Sequence, residues 1–356
     1  MTTTTAPRTQ DLSEGALGMA LLDIERHDLS TARRHLAQAT ARGVSTGSNA
    51  SLFHGAPAME FVLARAHAVG DHVRAAVDRV VDARLAAAHR RQAAGALPHL
   101  AEWGLIRGLT GLAALLLDRR PIAPRLPDVL TCLVALAHPA RGDGRMLPGW
   151  WSPVGPDGKE MTGGHGNNGM AHGIAGPLAV LSLALRAGVS VPGQEEAVGT
   201  FTTWLDWHGA HYWVTAAHVD VQQPSAAEPG RPSWCYGQPG IARAQQLAAL
   251  ALGDTARRQA AEDTVETLLT DPLQLARITD STLCHGWAGL LTLTRAVAAD
   301  SPAPARFTPI IADLHQRLAA DWERLPKPGF MEGRAGAQLA LKGTDTTGWT
   351  RVLLLT

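Results

Sequence analysis

The chain has 356 residues, 46% of them hydrophobic, and its 32 basic and 32 acidic side chains leave no formal net charge. That balance excludes bulk electrostatic attraction to nucleic acid or an anionic membrane, and no run of 18 or more apolar residues offers a spanning helix. Three cysteines are too few, and odd in number, for a disulfide framework; metal binding or packing remains.

The first ten residues, Met1 to Gln10, are Thr-rich and lack a basic-then-apolar signal pattern. Residues 1–12 are expected to be a disordered cytoplasmic start, ahead of one domain over 13–356. From Gly15 onward a unit recurs in which Gly-x-x-Gly, or nearly so, opens an apolar helix. Its instances are Gly15–Gly18, Gly55–Ala58, Gly108–Gly111, Gly173–Gly176, Gly237–Gly240, Gly286–Gly289 and Gly333–Gly336. The first glycines are spaced by 40, 53, 65, 64, 49 and 47 residues, room for two helices of about 11–12 residues plus connections. A fixed repeat of this size points to a repeat architecture.

Stretches such as Ala175–Ala187 and Gly289–Ala299 are apolar on nearly every face, as buried helices are. Val73–Gln92 and Ala256–Leu269 are amphipathic and Arg-bearing, as an outer layer requires. The predicted fold is therefore all-α: an α/α toroid of seven inner and seven outer helices. An open solenoid would need polar end caps, and the terminal repeats show none. Small residues at the helix starts let inner helices crowd a narrow axis. Cys132 falls in the apolar run Val129–Leu136 and reads as core filler. Two loop regions, near 138–170 and 221–234, lead into the fourth and fifth repeats and are expected to wall the active site.

The residues just before the seven first glycines are Glu14, His54, Arg107, His172, Tyr236, His285 and Glu332. All are ionisable although greasy helices follow, so they should ring a central cavity at the toroid's mouth. Cys235 and Cys284 both stand two residues before their glycine, in adjacent repeats, and His285 follows Cys284 directly. Matched repeat positions bring the two thiols side by side, with the imidazole as third ligand. Two thiolates and one imidazole suit Zn²⁺ and leave one coordination position open, an arrangement fitted to a sulfur substrate.

Three segments together carry a resemblance across the whole chain: Ala171-His172-Gly173-Ile174-Ala175-Gly176-Pro177, Trp234-Cys235-Tyr236-Gly237, and Cys284-His285-Gly286-Trp287-Ala288-Gly289. They resemble the motifs of the lanthionine synthetase C-like cyclases, of the stand-alone kind. The resemblance implies a toroid holding Zn²⁺ by Cys235, Cys284 and His285. It also implies an activity, adding a peptide cysteine to dehydroalanine or dehydrobutyrine to close (methyl)lanthionine thioether rings. By this likeness His172 delivers the proton, while Arg231 and Tyr236 stand near the reacting centre and stabilise the enolate. Trp234, Trp150, Trp151, His54 and Arg107 are candidate substrate contacts. The expected partners are a dehydrated precursor peptide, a separate dehydratase and an exporter; the expected location is the cytoplasm, with membrane association through a biosynthetic complex. Two other readings remain: addition of glutathione or another small thiol to dehydroamino acids, and a catalytically weakened scaffold in a modification complex. The latter is motivated by Gly104, which stands where the family carries an aspartate expected to orient the catalytic histidine. Glu102, Glu14 and Glu332 are the candidate acids to take its place.

Overall fold

The computed structural model describes residues 9–119, 121–142, 144–219 and 230–356. Seven inner helices start directly after, or two residues after, the seven first glycines: α1 (Ala16–Glu25), α3 (Ala56–Arg65), α6 (Leu109–Asp118), α8 (Ala175–Arg186), α11 (Gln238–Leu252), α14 (Trp287–Asp300) and α16 (Arg334–Lys342). Each packs against the next, and α16 returns to α1, so the ring is closed. Six outer helices lean on it: α2 (Leu29–Thr40), α4 (Asp71–Ala93), α7 (Leu126–Val134), α9 (Gln194–His208), α12 (Thr255–Thr270) and α15 (Thr308–Asp321). Asp28 and Asp254 cap α2 and α12 by accepting the Thr31 and Arg257 amides at 3.0 and 2.9 Å. Three further helices, α5 (Leu100–Trp103), α10 (Ala216–Val219) and α13 (Pro272–Leu275), are single turns.

The second glycine of each pair has a steric reason. A Cβ at Gly240 would sit 2.1 Å from the Trp234 carbonyl oxygen, and one at Gly289 equally close to that of Leu283. The backbone entering each inner helix thus folds back over the helix's own first turn, at a distance no side chain permits. The second repeat, which carries Ala58, enters differently: Gly55 there adopts φ +71°, a region open to glycine.

The seventh repeat departs from the expected pattern. Its chain does not return along the outside. Trp349–Leu353 forms a 3₁₀ helix at the far end of the ring, and Trp349, Val352, Leu353, Leu354 and Leu355 are all buried. Of residues 349–355 only Thr350 and Arg351 are polar, and Thr350 is buried with the rest, so the segment has too little polar surface for an outer layer and goes inside. Arg65 of α3 donates to the Gly348 carbonyl at 2.6 Å and pairs with Asp118 of α6, which also holds Arg351. Arg243 of α11 donates to the Leu355 carbonyl at 2.5 Å. The far end of the toroid is closed by the chain itself.

Among the described residues two small antiparallel sheets interrupt the all-α plan, and four of their five strands fall within the 138–170 stretch expected to be a loop. β1 (Ala140–Gly142) pairs with β2 (Arg145–Leu147), and β3 (Ser152–Val154), β4 (Glu160–Asn167) and β5 (Trp213–Val214) form a three-stranded sheet. In the second predicted loop, residues 221–229 lie outside the described residues. At the N-terminus, residues 1–8 lie outside them too. Residues 9–12, expected to be disordered, belong to the fold: Leu12 is fully buried and donates its amide to the Phe53 carbonyl at 2.8 Å.

Candidate metal centre and active site

From the fourth repeat round to the first, successive repeats are joined at the mouth by backbone hydrogen bonds between the residues two before the first glycines. The Ala171 amide donates to Cys235 O (3.1 Å), Cys235 N to Cys284 O (3.2 Å), Cys284 N to Met331 O (3.0 Å) and Met331 N to Ser13 O (2.9 Å). That belt is why Cys235 and Cys284, 49 residues apart in sequence, stand side by side. With His285 they form a group whose three donor atoms all lie within 4.8 Å of one another. No other such group of three or more His, Cys, Asp or Glu occurs among the described residues.

The chemistry of this donor set fits a thiophilic divalent ion. Cys235, buried, is pulled down to about 5, chiefly because the Cys284 thiol hydrogen-bonds to it; burial opposes this and His285 assists. Cys284 is pushed up by the same contact. The pair therefore shares a proton readily displaced by a cation. His285 Nε2 lies 3.2 Å from Asp280 Oδ2, and that hydrogen bond, with a second to Cys235, raises the imidazole to about 9. Asp280 is half-buried; burial works to raise it, yet His285 and Thr282 hold it at about 2. Carboxylate, imidazole and thiolates in series form the second-sphere arrangement that orients a metal-ligating histidine. Asp280 is a site residue that the sequence reading missed, and its only local signal is its place five residues before His285.

The group opens into a cavity of about 800 Å³. Six of the seven residues that precede the first glycines line it: Glu14, His54, Arg107, His172, Tyr236 and Glu332. The predicted polar ring is thus a ring around this cavity. His172 stacks on Tyr236 with ring centroids 6.0 Å apart. Burial, reinforced by the Arg107 charge, pulls His172 down to about 4, well below the near-neutral titration usual for histidine. Burial likewise pushes the Tyr236 hydroxyl up. At neutral pH both are uncharged.

Other expected site residues fall elsewhere. Trp150 and Trp151 are buried, not exposed at the mouth; Trp150 packs edge-on against Phe201 and Trp204, and Trp151 Nε1 donates to the Gly163 carbonyl at 3.0 Å. Trp234 borders the cavity, but its ring is fully buried and its Nε1 donates to the Leu353 carbonyl at 3.0 Å. None of the three offers a face to a peptide. Trp213 of β5 is exposed, perpendicular to Tyr236 at 6.5 Å between centroids. Arg231 is turned from the cavity, its Nη1 3.6 Å from Asp280 Oδ2 and 3.3 Å from Thr279 Oγ1. His54 stands at the mouth 3.9 Å from Asp11. Cys132 is buried beside His89 and pushed up to about 11, mainly by burial, as core filler should be.

Gly104 does lie against His172, since a Cβ there would be 3.6 Å from His172 Cα. None of the three candidate acids takes over its place. Glu102 is held by Arg91 at 2.7 Å, and Glu14 and Glu332 both clamp Lys327, at 2.8 and 2.6 Å.

These features define a class: a closed α/α toroid with a Cys–Cys–His group that could hold a metal ion and a neutral histidine at one mouth. The family model for lanthionine synthetase C-like protein matches residues 6–354, and the chain belongs to that family. Among solved structures, a protein named nisin cyclase superposes with a TM-score of 0.79 at 19% identity, over 99% of this chain and 93% of that one. None of the curated proteins matches significantly in sequence.

Proposed function

We propose that the protein is a zinc-dependent thioether-forming cyclase that adds a cysteine thiol of a dehydrated precursor peptide to dehydroalanine or dehydrobutyrine. The observation that carries this reading is the convergence of Cys235, Cys284 and His285 at the cavity shared by His172. Family membership and the nisin cyclase likeness agree with it. Cys235, Cys284 and His285 would hold the ion, with Asp280 fixing the imidazole. A bound zinc ion lowers the pKa of an incoming thiol.

The remaining chemistry falls to the chain. The new S–C bond forms at the β-carbon as the C=C bond opens, and negative charge moves to the carbonyl oxygen. His172, uncharged at rest, accepts the proton released by the thiol and returns it to the α-carbon. Atoms balance with no co-reactant. Tyr236, kept protonated, holds the imidazole by stacking and presents a hydroxyl to the reacting group. A separate dehydratase supplies the unsaturated peptide, and an exporter is a further partner. No helix among the described residues is long and apolar enough to cross a membrane, so membrane association would come through such partners.

The test is incubation of the zinc-loaded protein with a dehydrated precursor peptide and no added thiol. Ring closure leaves the peptide mass unchanged while removing thiols that N-ethylmaleimide would cap. Full retention of cappable thiols sinks the reading. His172→Ala is expected to lose most of the rate, by about 10²–10⁴-fold, with zinc still bound.

A further inference from the structure

The reaction builds charge on a carbonyl oxygen, and a fixed donor or cation facing it lowers the barrier. Arg231, the arginine that the motifs suggest, is committed elsewhere: it backs His285 through Asp280 and Thr279 and does not line the cavity. Arg107 does line it. Its side chain is exposed to the cavity and takes no hydrogen bond or ion pair among the described residues. The turn that carries it is closed by the Gly108 amide on the Gly104 carbonyl at 2.8 Å, and Gly104 abuts His172.

We propose that Arg107 is the catalytic cation of this enzyme, stabilising the enolate oxygen formed when the thiol adds. This rests on the cyclase reading above. Gly104, three residues away on the same turn and against His172, brings no carboxylate to this side of the cavity, and no described residue pairs with the guanidinium. The depressed titration of His172, which Arg107 assists, places that charge within electrostatic reach of the reacting imidazole. The chain thereby departs from a carboxylate-tuned histidine: the imidazole is left neutral, and a fixed positive charge carries the developing negative one.

The experiment compares Arg107→Ala, Arg107→Lys and Arg231→Gln, all zinc-loaded, on a dehydrated peptide. A second assay adds a small thiol to N-acetyl-dehydroalanine amide, an electrophile too small to need peptide contacts. Arg107→Ala is expected to lose about 10²–10³-fold in kcat in both assays, with zinc content and helical circular dichroism intact. Added guanidinium ion should restore part of the rate, and Arg107→Lys should keep more than the alanine variant. Arg231→Gln should weaken zinc retention more than it lowers kcat at saturating zinc. The proposal is overturned if Arg107→Ala keeps its kcat within about threefold, or if the loss lies wholly in KM for the peptide and vanishes with the small electrophile. It is also overturned if the NMR titration of His172 in Arg107→Gln does not move upward, a readout that needs no turnover. A wild type inactive in both assays instead refutes the cyclase reading itself, a result distinct from an active wild type with an indifferent Arg107.

Discussion

The two ends of the toroid use the same residue types for opposite purposes. At the mouth, His54, Arg107, His172 and Glu332 face a cavity, and Arg107 is unpaired among the described residues. At the far end, arginines and carboxylates are spent on each other and on the chain. Arg65 is buried against Asp118 and the Gly348 carbonyl, and Arg119 bridges Glu60 and Asp78 at 2.6 and 2.7 Å. Burial, and then the neighbouring Arg351, brings the Arg65 guanidinium down to about 10, still charged at neutral pH. The far end is where the ring is locked, and the mouth is where charge is left free to do chemistry.

If the division is real, damage at one end should spare the other. Cys284→Ala is expected to reduce bound zinc from about one equivalent to a trace, by metal analysis, while urea unfolding and circular dichroism stay near wild type. Loss of helical signal on chelation would break the comparison, making the metal structural. Asp118→Ala should do the reverse. It strands a buried guanidinium, at a cost of about 3–5 kcal/mol in urea unfolding, while the folded fraction keeps its zinc. A cost under about 1 kcal/mol would show that the far end is not a lock.

Acid offers a subtler test of the same lock. Glu25, at the end of α1, accepts the Thr346 and Thr347 amides, each at 3.1 Å, and both hydroxyls. Burial alone would raise its carboxyl, but these bonds win and lower it. A carboxylate depressed in the folded state stabilises fully above the unfolded value of about 4.3 and loses that contribution as pH falls through the folded one. Stability measured from pH 6 down to pH 3 should therefore fall more steeply in wild type than in Glu25→Gln; parallel curves would refute the assignment. The smallest effect is expected at the mouth's edge. Trp213→Ala should change stability by no more than about 0.5 kcal/mol and weaken peptide binding. Trp151→Ala, its buried counterpart under the sheet, should cost about 3–5 kcal/mol.

Much of the architecture was legible in the sequence because it is periodic. Six glycine pairs and one Gly–Ala pair, with greasy helices behind them, specify seven inner helices, and matched offsets from their first glycines specify that Cys235 and Cys284 meet. The polar ring was readable for the same reason, since a repeat converts sequence offset into angular position around an axis. Aperiodic features were not readable in this way. Trp150 and Trp151 look like exposed loop aromatics until β3 and β4 pair over them. Arg231 has a motif position, but Asp280, in the next repeat, decides where its guanidinium points. The closing segment Trp349–Leu355 follows the last glycine pair as an outer helix would, yet Thr350 and Arg351 are its only polar residues, and only the closed ring offers the rest a buried place. Local pattern determined which elements form and in what order, because helix starts and apolar faces are properties of neighbouring residues. Side-chain direction at the site was left to the tertiary structure, because a charge turns toward whichever partner the fold brings within a few ångströms.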